Sequence, residues 1–364
     1  MMKRVVTFGE IMGRLTPDGF LRFRQCLPGT LQVTFAGAEA NVAVSIAQLG
    51  GEAAFVTALP RHPIADACVA NLRALGVDTR HILRTDMGRL GLYFLETGAN
   101  QRAGNVIYDR TGSAVSLASW DQYNWDSIFE DAHWFHVTGI TPALSKVAAE
   151  TTLAAVREAK SRDLQVSCDL NFRKKLWRWD PACPANQLAE RTMRGILPYV
   201  DLVVANEEDA SDVLRIRAGD TDVEAGQLAI AQYPMVASEI VRQFPNISKV
   251  GITLRESVSA SHNNWGGMLY DATRDKASFA PLRDGRYEPY AIRNIVDRVG
   301  AGDSFAGALI FALMTTELSA PETAVAFASA ASCLAHTILG DFNYTSRSEV
   351  EALMKGSGSG RVVR

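Results

Sequence analysis

The residues best placed to do chemistry stand together near the C-terminal end, in the stretch DRVGAGDSFAGALIFAL from Asp297 to Leu313. Gly300, Ala301 and Gly302 give three successive positions with little or no side chain, and Asp303 follows them. From there apolar residues recur at helical spacing, at Phe305, Ala308, Leu309, Ala312 and Leu313. The pattern predicts a strand over Ile292–Val296, a tight turn and a helix start. Glycine lets the backbone turn sharply and approach a ligand closely. The first amides of a helix lack partners and carry the positive end of its dipole. Such a corner holds anions, and Asp303 at its rim is a candidate base. The plainer alternative is a corner whose Asp only caps its helix.

Two common phosphate motifs are excluded. No G-x-x-x-x-G-K-[ST] string occurs in the chain, and the G-x-G-x-x-G pattern breaks at Phe305. The order D-x-V-G-A-G-D-S-F-A-G instead resembles the second signature of the ribokinase-like (PfkB) sugar kinases. In that family the turn forms an anion hole for the transferring phosphate, and the Asp takes the proton of the attacking hydroxyl. The resemblance therefore implies catalytic roles for Gly300, Ala301, Gly302 and Asp303. An Asp at a helix N-terminus is expected to stay ionised and to be a weak base.

The elements that must position this turn can be read along the chain. At 364 residues, with 47% hydrophobic content, the chain is long enough for one large α/β domain. The net charge of -3 shows no basic excess, so neither nucleic acid nor an anionic membrane is an expected partner. Five scattered cysteines without a C-x-x-C fit reduced thiols. Met1–Arg4 runs straight into a strand-like Val5–Phe8, and no apolar run approaches a membrane span, so a cytoplasmic protein is expected. Strands near 53–58, 132–137, 165–170, 201–205 and 248–253 alternate with helices near 36–49, 64–75, 147–161, 185–197, 206–215 and 235–243. Alternation of this kind argues a doubly wound, mainly parallel sheet with helices on both faces. Two β-like excursions, at 11–35 and 90–111, interrupt it. The catalytic domain is expected over 1–355, with Gly356–Arg364 a flexible tail by its glycine and serine content.

The likeness to the sugar kinases extends over nearly the whole chain. GEIMGRLTP (9–17), FAGAEANVAV (35–44), GLYFLETGA (91–99), VIYDRTGSA (106–114), FHVTGITPAL (135–144), SCDLNFRKKLW (167–177), ANEED (205–209), GITLRES (251–257) and the terminal SGRVVR resemble bacterial 2-keto-3-deoxygluconate kinases. That resemblance implies a β lid built from the two excursions and transfer of the ATP γ-phosphate, with Mg2+, to the 6-hydroxyl of a sugar acid. Fructokinase or another ketose kinase of the same family is the alternative. It also implies substrate roles for Gly37, Tyr93, Tyr108, Arg110, Thr141 and Arg173, and nucleotide roles for Asn206, Thr253, Arg255, Gly300, Gly302 and Ser329.

Several of these carry a reason of their own. Tyr108 and Arg110 are two apart on a strand-like segment and share a face. An arginine facing a cleft suits a carboxylate, because its fork bonds bidentately. With Arg173 it would present two charges that only an acid satisfies. Asn206-Glu207-Glu208-Asp209 stands where the family carries N-x-x-E to organise metal-bound water; Asp209 is one methylene shorter, and Glu208 is an alternative. A helix start simply favours acidic residues as well. Arg255 replaces the glycines of the family's nucleotide loop. His133 and His136, three apart on a strand, point to opposite faces and make no zinc pair. A small lid sheet leaves unpaired edges, so a homo-oligomer joined through the lid is expected.

Overall fold

The structure is a computed structural model that describes residues 3–206, 208–216 and 230–356. The tail expected beyond Gly356 lies outside the described residues, as does Glu207. In chain order the strands are β1 Arg4–Phe8, β2 Met12–Thr16, β3 Gln32–Ala36, β4 Glu52–Val56, β5 Ala58–Pro60, β6 Leu83–Thr85, β7 Gly91–Glu96, β8 Asn105–Asp109, β9 Ala132–Thr138, β10 Gln165–Asp169, β11 Leu202–Ala205, β12 Lys249–Ser259, β13 His262–Asp271 and β14 Lys276–Ala280. The central sheet runs β14-β13-β12-β11-β10-β9-β1-β4, parallel from β4 to β12 and antiparallel from β12 to β14.

Burial follows from the strand period of two. In β1, RVVTF, every residue is buried, as expected of a strand covered on both faces. Val6 and Phe8 join the core beneath helices Lys146–Ser161 and Ala185–Ile196. Val5 joins the opposite core, beneath helices Ala38–Gln48, Ala301–Met314 and Pro321–Ala335. This is the doubly wound α/β architecture that the alternation of elements predicts.

The two excursions make a separate four-stranded sheet in the order β3-β2-β7-β8. Its inner face, Met12, Ala36, Tyr93 and Leu95 with Val106 and Tyr108, closes over Val299 of the C-terminal stretch. The lid is thus packed directly on the residues that lead into the turn.

Two expectations change. The strand expected over Ile292–Val296 ends at Ile292, since only Tyr290–Ile292 pairs, with β13. Beyond it the backbone follows a helix end: Val296 N–H donates to the carbonyl of His336 at 2.9 Å. The antiparallel strands β13 and β14 were not expected. The sequence HNNWGGMLYD of β13 is buried on both faces over most of its length, so it shows no alternation, and its Asn and Gly residues are poor strand formers.

Candidate active site

A cavity of about 340 Å3 opens between the lid and the C-terminal ends of β10, β11 and β12. This is where open α/β sheets bind ligands. Of the residues singled out in the sequence, Gly37, Tyr93, Tyr108, Arg110, Arg173, Asn206, Asp209, Thr253, Arg255, Gly300, Ala301, Gly302 and Asp303 all line it. Thr141, Ser329 and Glu208 do not.

The turn is built as its composition predicts. Gly300 is the N-cap of helix Ala301–Met314, at φ 84°, a left-handed conformation that favours glycine. A Cβ there would also stand 2.1 Å from the carbonyl oxygen of Asp341. Asp297 braces the approach, accepting from the N–H groups of Arg298 at 2.8 Å and Val299 at 3.2 Å. The first helical amides, from Ala301 to Asp303, therefore open on the cavity without helical partners.

Asp303 accepts a hydrogen bond from Asn41 Nδ2 at 2.7 Å, and Asn41 Oδ1 in turn accepts from the N–H of Gly37 at 3.2 Å. Gly37 caps helix Ala38–Gln48 where a Cβ would stand 2.0 Å from the carbonyl oxygen of Glu10. Asp303 is half-buried on the cavity wall. Burial pushes its carboxyl up to about 7, against the bond from Asn41, which lowers it; Asp341 also raises it. This corrects the expected weak, always ionised base: desolvation outweighs the helix dipole, and the group titrates near neutrality.

The arginines are also placed differently from the expectation of two free charges. Arg110 is buried, and its Nε and Nη2 both engage Glu10, at 2.6 Å for Nε. Its guanidinium lies 5.5 Å from the centre of the Tyr108 ring. A buried charge needs a partner, and Glu10 provides it. Arg173 is exposed at the rim, donating to the carbonyl of Phe172 at 2.8 Å, and its charge lowers the carboxyls of Asp169, Asp209 and Asp303. Arg110 is therefore balanced by Glu10, while Arg173 sits at the rim with its charge acting on three aspartates.

At the acidic corner after β11, Asp209 lines the cavity and Glu208 does not. The Asp209 carboxylate accepts from the N–H of Phe172 at 3.0 Å and of Asn206 at 3.1 Å. Asn206 Oδ1 accepts from the N–H groups of Glu208 and Asp209, and the Glu208 side chain faces solvent. Asp169 stands beside it on the wall, its carboxyl pushed well up by burial and by the charges of Asp209 and Asp303. The wall thus gathers the carboxyls of Asp169, Asp209 and Asp303, all raised by burial. No three ligand-type side chains converge among the described residues, so a metal ion here would keep most of its own water, as Mg2+ does. With that condition the donor set fits hydrated Mg2+.

Thr141 lies behind the wall, its hydroxyl donating to the buried carboxylate of Glu39 at 2.8 Å, where Thr138 also donates. Ser329 is wholly buried with its hydroxyl against Gly267 of β13. Close helix-on-strand packing accounts for this small residue.

The cavity also gathers residues that the sequence did not flag. Asn41 lay inside the quoted FAGAEANVAV, as a polar residue on an otherwise apolar helix face. Asp341, Arg298, Asn263, Trp265 and His336 line the wall as well. Arg298 Nη2 donates to Asn263 Oδ1 at 2.9 Å, while Asn263 Nδ2 and Trp265 Nε1 are buried without a partner. Tyr93 donates its hydroxyl to Asp341 at 2.7 Å.

A mainly parallel sheet, a β lid, and an anion-holding helix start with a carboxylate at its mouth define a kinase of the ribokinase-like fold. The profile of the pfkB family carbohydrate kinases matches residues 2–236 and 275–343. The chain is 34% identical over 360 residues to a 2-dehydro-3-deoxygalactonokinase of Haloferax volcanii, covering 99% of each. The crystal structure of a 2-dehydro-3-deoxygluconokinase of Thermotoga maritima is 42% identical, with a TM-score of 0.87 over 97% of this chain and 100% of that one. An Escherichia coli protein assigned as ribokinase II, in complex with ATP and Mg2+, shares the fold at 20% identity and a TM-score of 0.75, over 98% of this chain and 100% of that one. The chain belongs to the PfkB family and is a carbohydrate kinase.

Proposed function

We propose that the protein transfers the γ-phosphate of ATP to the 6-hydroxyl of 2-keto-3-deoxy-D-gluconate, in the cytoplasm. The observation that carries this reading is Asp303, held by Asn41 at a helix start whose free amides face the same cavity. The sugar hydroxyl attacks the γ-phosphorus, the bond to the β,γ-bridging oxygen breaks, ADP leaves, and the hydroxyl proton passes to Asp303. Amides of Ala301, Gly302 and Asp303 neutralise charge on the transferring group. Thr253, with a hydroxyl, and Arg255 and Arg298, with positive charge, line the cavity toward the rest of the triphosphate. Mg2+, held through water by Asp169, Asn206 and Asp209, would neutralise phosphate charge.

The carboxylate of the sugar acid falls mainly to Arg173, with Tyr108 and the Nη1 edge of Arg110 beside it. The two relatives named for keto-deoxy sugar acids support that substrate class. One observation favours a neutral ketose instead: Glu10 already balances Arg110. A phosphorylation screen over sugar acids and neutral ketoses, with the phosphorylated position read by 31P NMR, decides between them. Turnover of fructose at the rate of the keto acid would overturn the sugar-acid reading.

The lid adds a quaternary expectation. Its edge strands β3 and β8 carry the exposed apolar residues Val33 and Ile107, at 59% and 49% exposure. Pairing of two lids would cover them and the unpaired strand edges. Light scattering should give a dimer or larger at micromolar concentration, and a monomer would exclude the lid interface.

A further inference from the structure

Arg14 of β2 is a lid residue, yet it is almost wholly buried, at 2% side-chain exposure, and its charged partners lie outside the lid. Its Nη2 engages Asp297 and its Nη1 engages Asp341, two carboxylates that are 283 and 327 residues away and themselves nearly inaccessible. Each acid has a second task. Asp297 braces the backbone entering the anion turn and accepts from the N–H of Gly340 at 3.2 Å. Asp341 lies on the cavity wall, receives Tyr93 from β7, and has its carbonyl against Gly300. One guanidinium thus joins the lid, the turn and the cavity-facing carboxylate.

A buried ion pair is weak evidence for stability, because desolvation offsets most of the attraction and apolar residues can replace it at little cost. What the fork does provide is geometry, because its two edges fix two carboxylates relative to each other. We infer that Arg14 is a positioning residue: through Asp341 and Asp297 it sets the sugar-facing carboxylate and the anion turn in register with the lid. Asp341, with one oxygen taken by Arg14 and Tyr93, is thereby aimed to accept a substrate hydroxyl.

The inference rests on the kinase reading of this cavity, though not on which sugar is used, and wild-type turnover tests that reading first. The experiment is a double-mutant cycle in kcat/KM for the sugar over Arg14→Met, Asp341→Asn and their combination. Displacement of a substrate-positioning group by about 1 Å costs up to about 100-fold, and Arg14→Met should approach that. The double variant should be no worse than the poorer single one, because Arg14 acts through Asp341. Arg14→Lys keeps the charge without the fork and should fall between. Losses that multiply, or Arg14→Met within about two-fold of wild type, would overturn the inference. A lowered Tm with unchanged kcat/KM would do the same.

Arg14→Met leaves two buried acids without their cation, so a charge-matched variant, Arg14→Met with Asp297→Asn, guards against simple unfolding. It should fold and still lose activity. It should also quicken amide hydrogen exchange at Gly300–Asp303, a readout that needs no sugar. Wild-type activity or unchanged exchange in that variant would refute the positioning role.

Discussion

Two helix starts face the same cavity, and each puts an aspartate at its mouth. At Asp209 both carboxylate oxygens are taken by backbone N–H groups, from Phe172 and Asn206. At Asp303 a single side-chain amide from Asn41 holds one oxygen and the other stays open. Burial raises both carboxyls. The first aspartate is a brace that ties two loops together and adds negative charge to the wall. The second keeps one oxygen available, which the proposed reaction uses to take the hydroxyl proton. Residue type and element position are therefore not enough to mark a base; what separates the two is the number of donors that hold each carboxylate.

The largest expected effect tests the open carboxylate. Asp303→Asn keeps the shape and the bond from Asn41 but cannot take a proton, so kcat should fall by roughly 10²–10⁴-fold with nucleotide affinity nearly intact. In the wild type, kcat/KM should rise with pH through about 7, as Asp303 loses its proton. A variant within a few-fold of wild type would place the base elsewhere and remove the contrast with Asp209.

Next in size is Arg173, a rim cation whose charge acts on both Asp209 and Asp303. Its loss should lower kcat/KM on 2-keto-3-deoxygluconate by about 10–100-fold, the value of a charged hydrogen bond, and affect fructose far less. Arg173→Lys should recover only part, since a point charge does not replace the fork. Equal losses on both sugars would mean that Arg173 serves the aspartates rather than the substrate.

The turn itself was legible in the sequence because its parts are contiguous: glycines, acid and helical period lie within seventeen residues. The parallel sheet was legible for the same reason, through alternation of local patterns. The partners of that turn were not. Arg14 sits in a strand whose alternation gives its face but not the acids nearly three hundred residues later. Glu10 stands just after β1 and proves to be the counter-charge of Arg110. Thr141 and Ser329 stand outside the cavity lining: Thr141 donates to buried Glu39 and Ser329 packs against β13. Side chains that pair across the fold leave no periodic trace, and buried charge forces such pairing.

A smaller effect, on stability, tests the brace. Asp209→Ala should leave the N–H groups of Phe172 and Asn206 without acceptors, at a cost of about 1–3 kcal/mol if they stay dry. It should lower Tm, and it should weaken Mg2+-dependent nucleotide binding. Asp303→Asn should do neither. If Asp209→Ala melted with the wild type, the two N–H groups would have water in place of the carboxylate, and Asp209 would be as free as Asp303.

The smallest effect separates the two acids by pH. The carboxyl of Asp303 sits at about 7 in the folded protein against an ordinary 3.8. Between those values the native state holds a proton that the unfolded chain has released, so this group makes stability fall as pH rises from about 4 to about 7. Above that window the folded protein carries a charge it would shed by unfolding. Asp303→Asn removes that penalty, so the variant should be as stable as wild type near pH 4 and more stable at pH 8. Asp303 keeps its cavity face open, which reduces the effect, and a gain of about 1–3 °C in Tm is expected. His136 and His336, whose imidazoles burial lowers to about 3 and about 4, run in the opposite sense and cost stability as pH falls below the ordinary 6.5. They act equally in both proteins, so the difference in Tm between variant and wild type leaves Asp303 together with Asp169, which its charge raises. Scanning calorimetry of the pair from pH 5 to 8 should show that difference growing with pH. A flat difference would mean that Asp303 keeps one charge state throughout, and that neutral pH does not switch it.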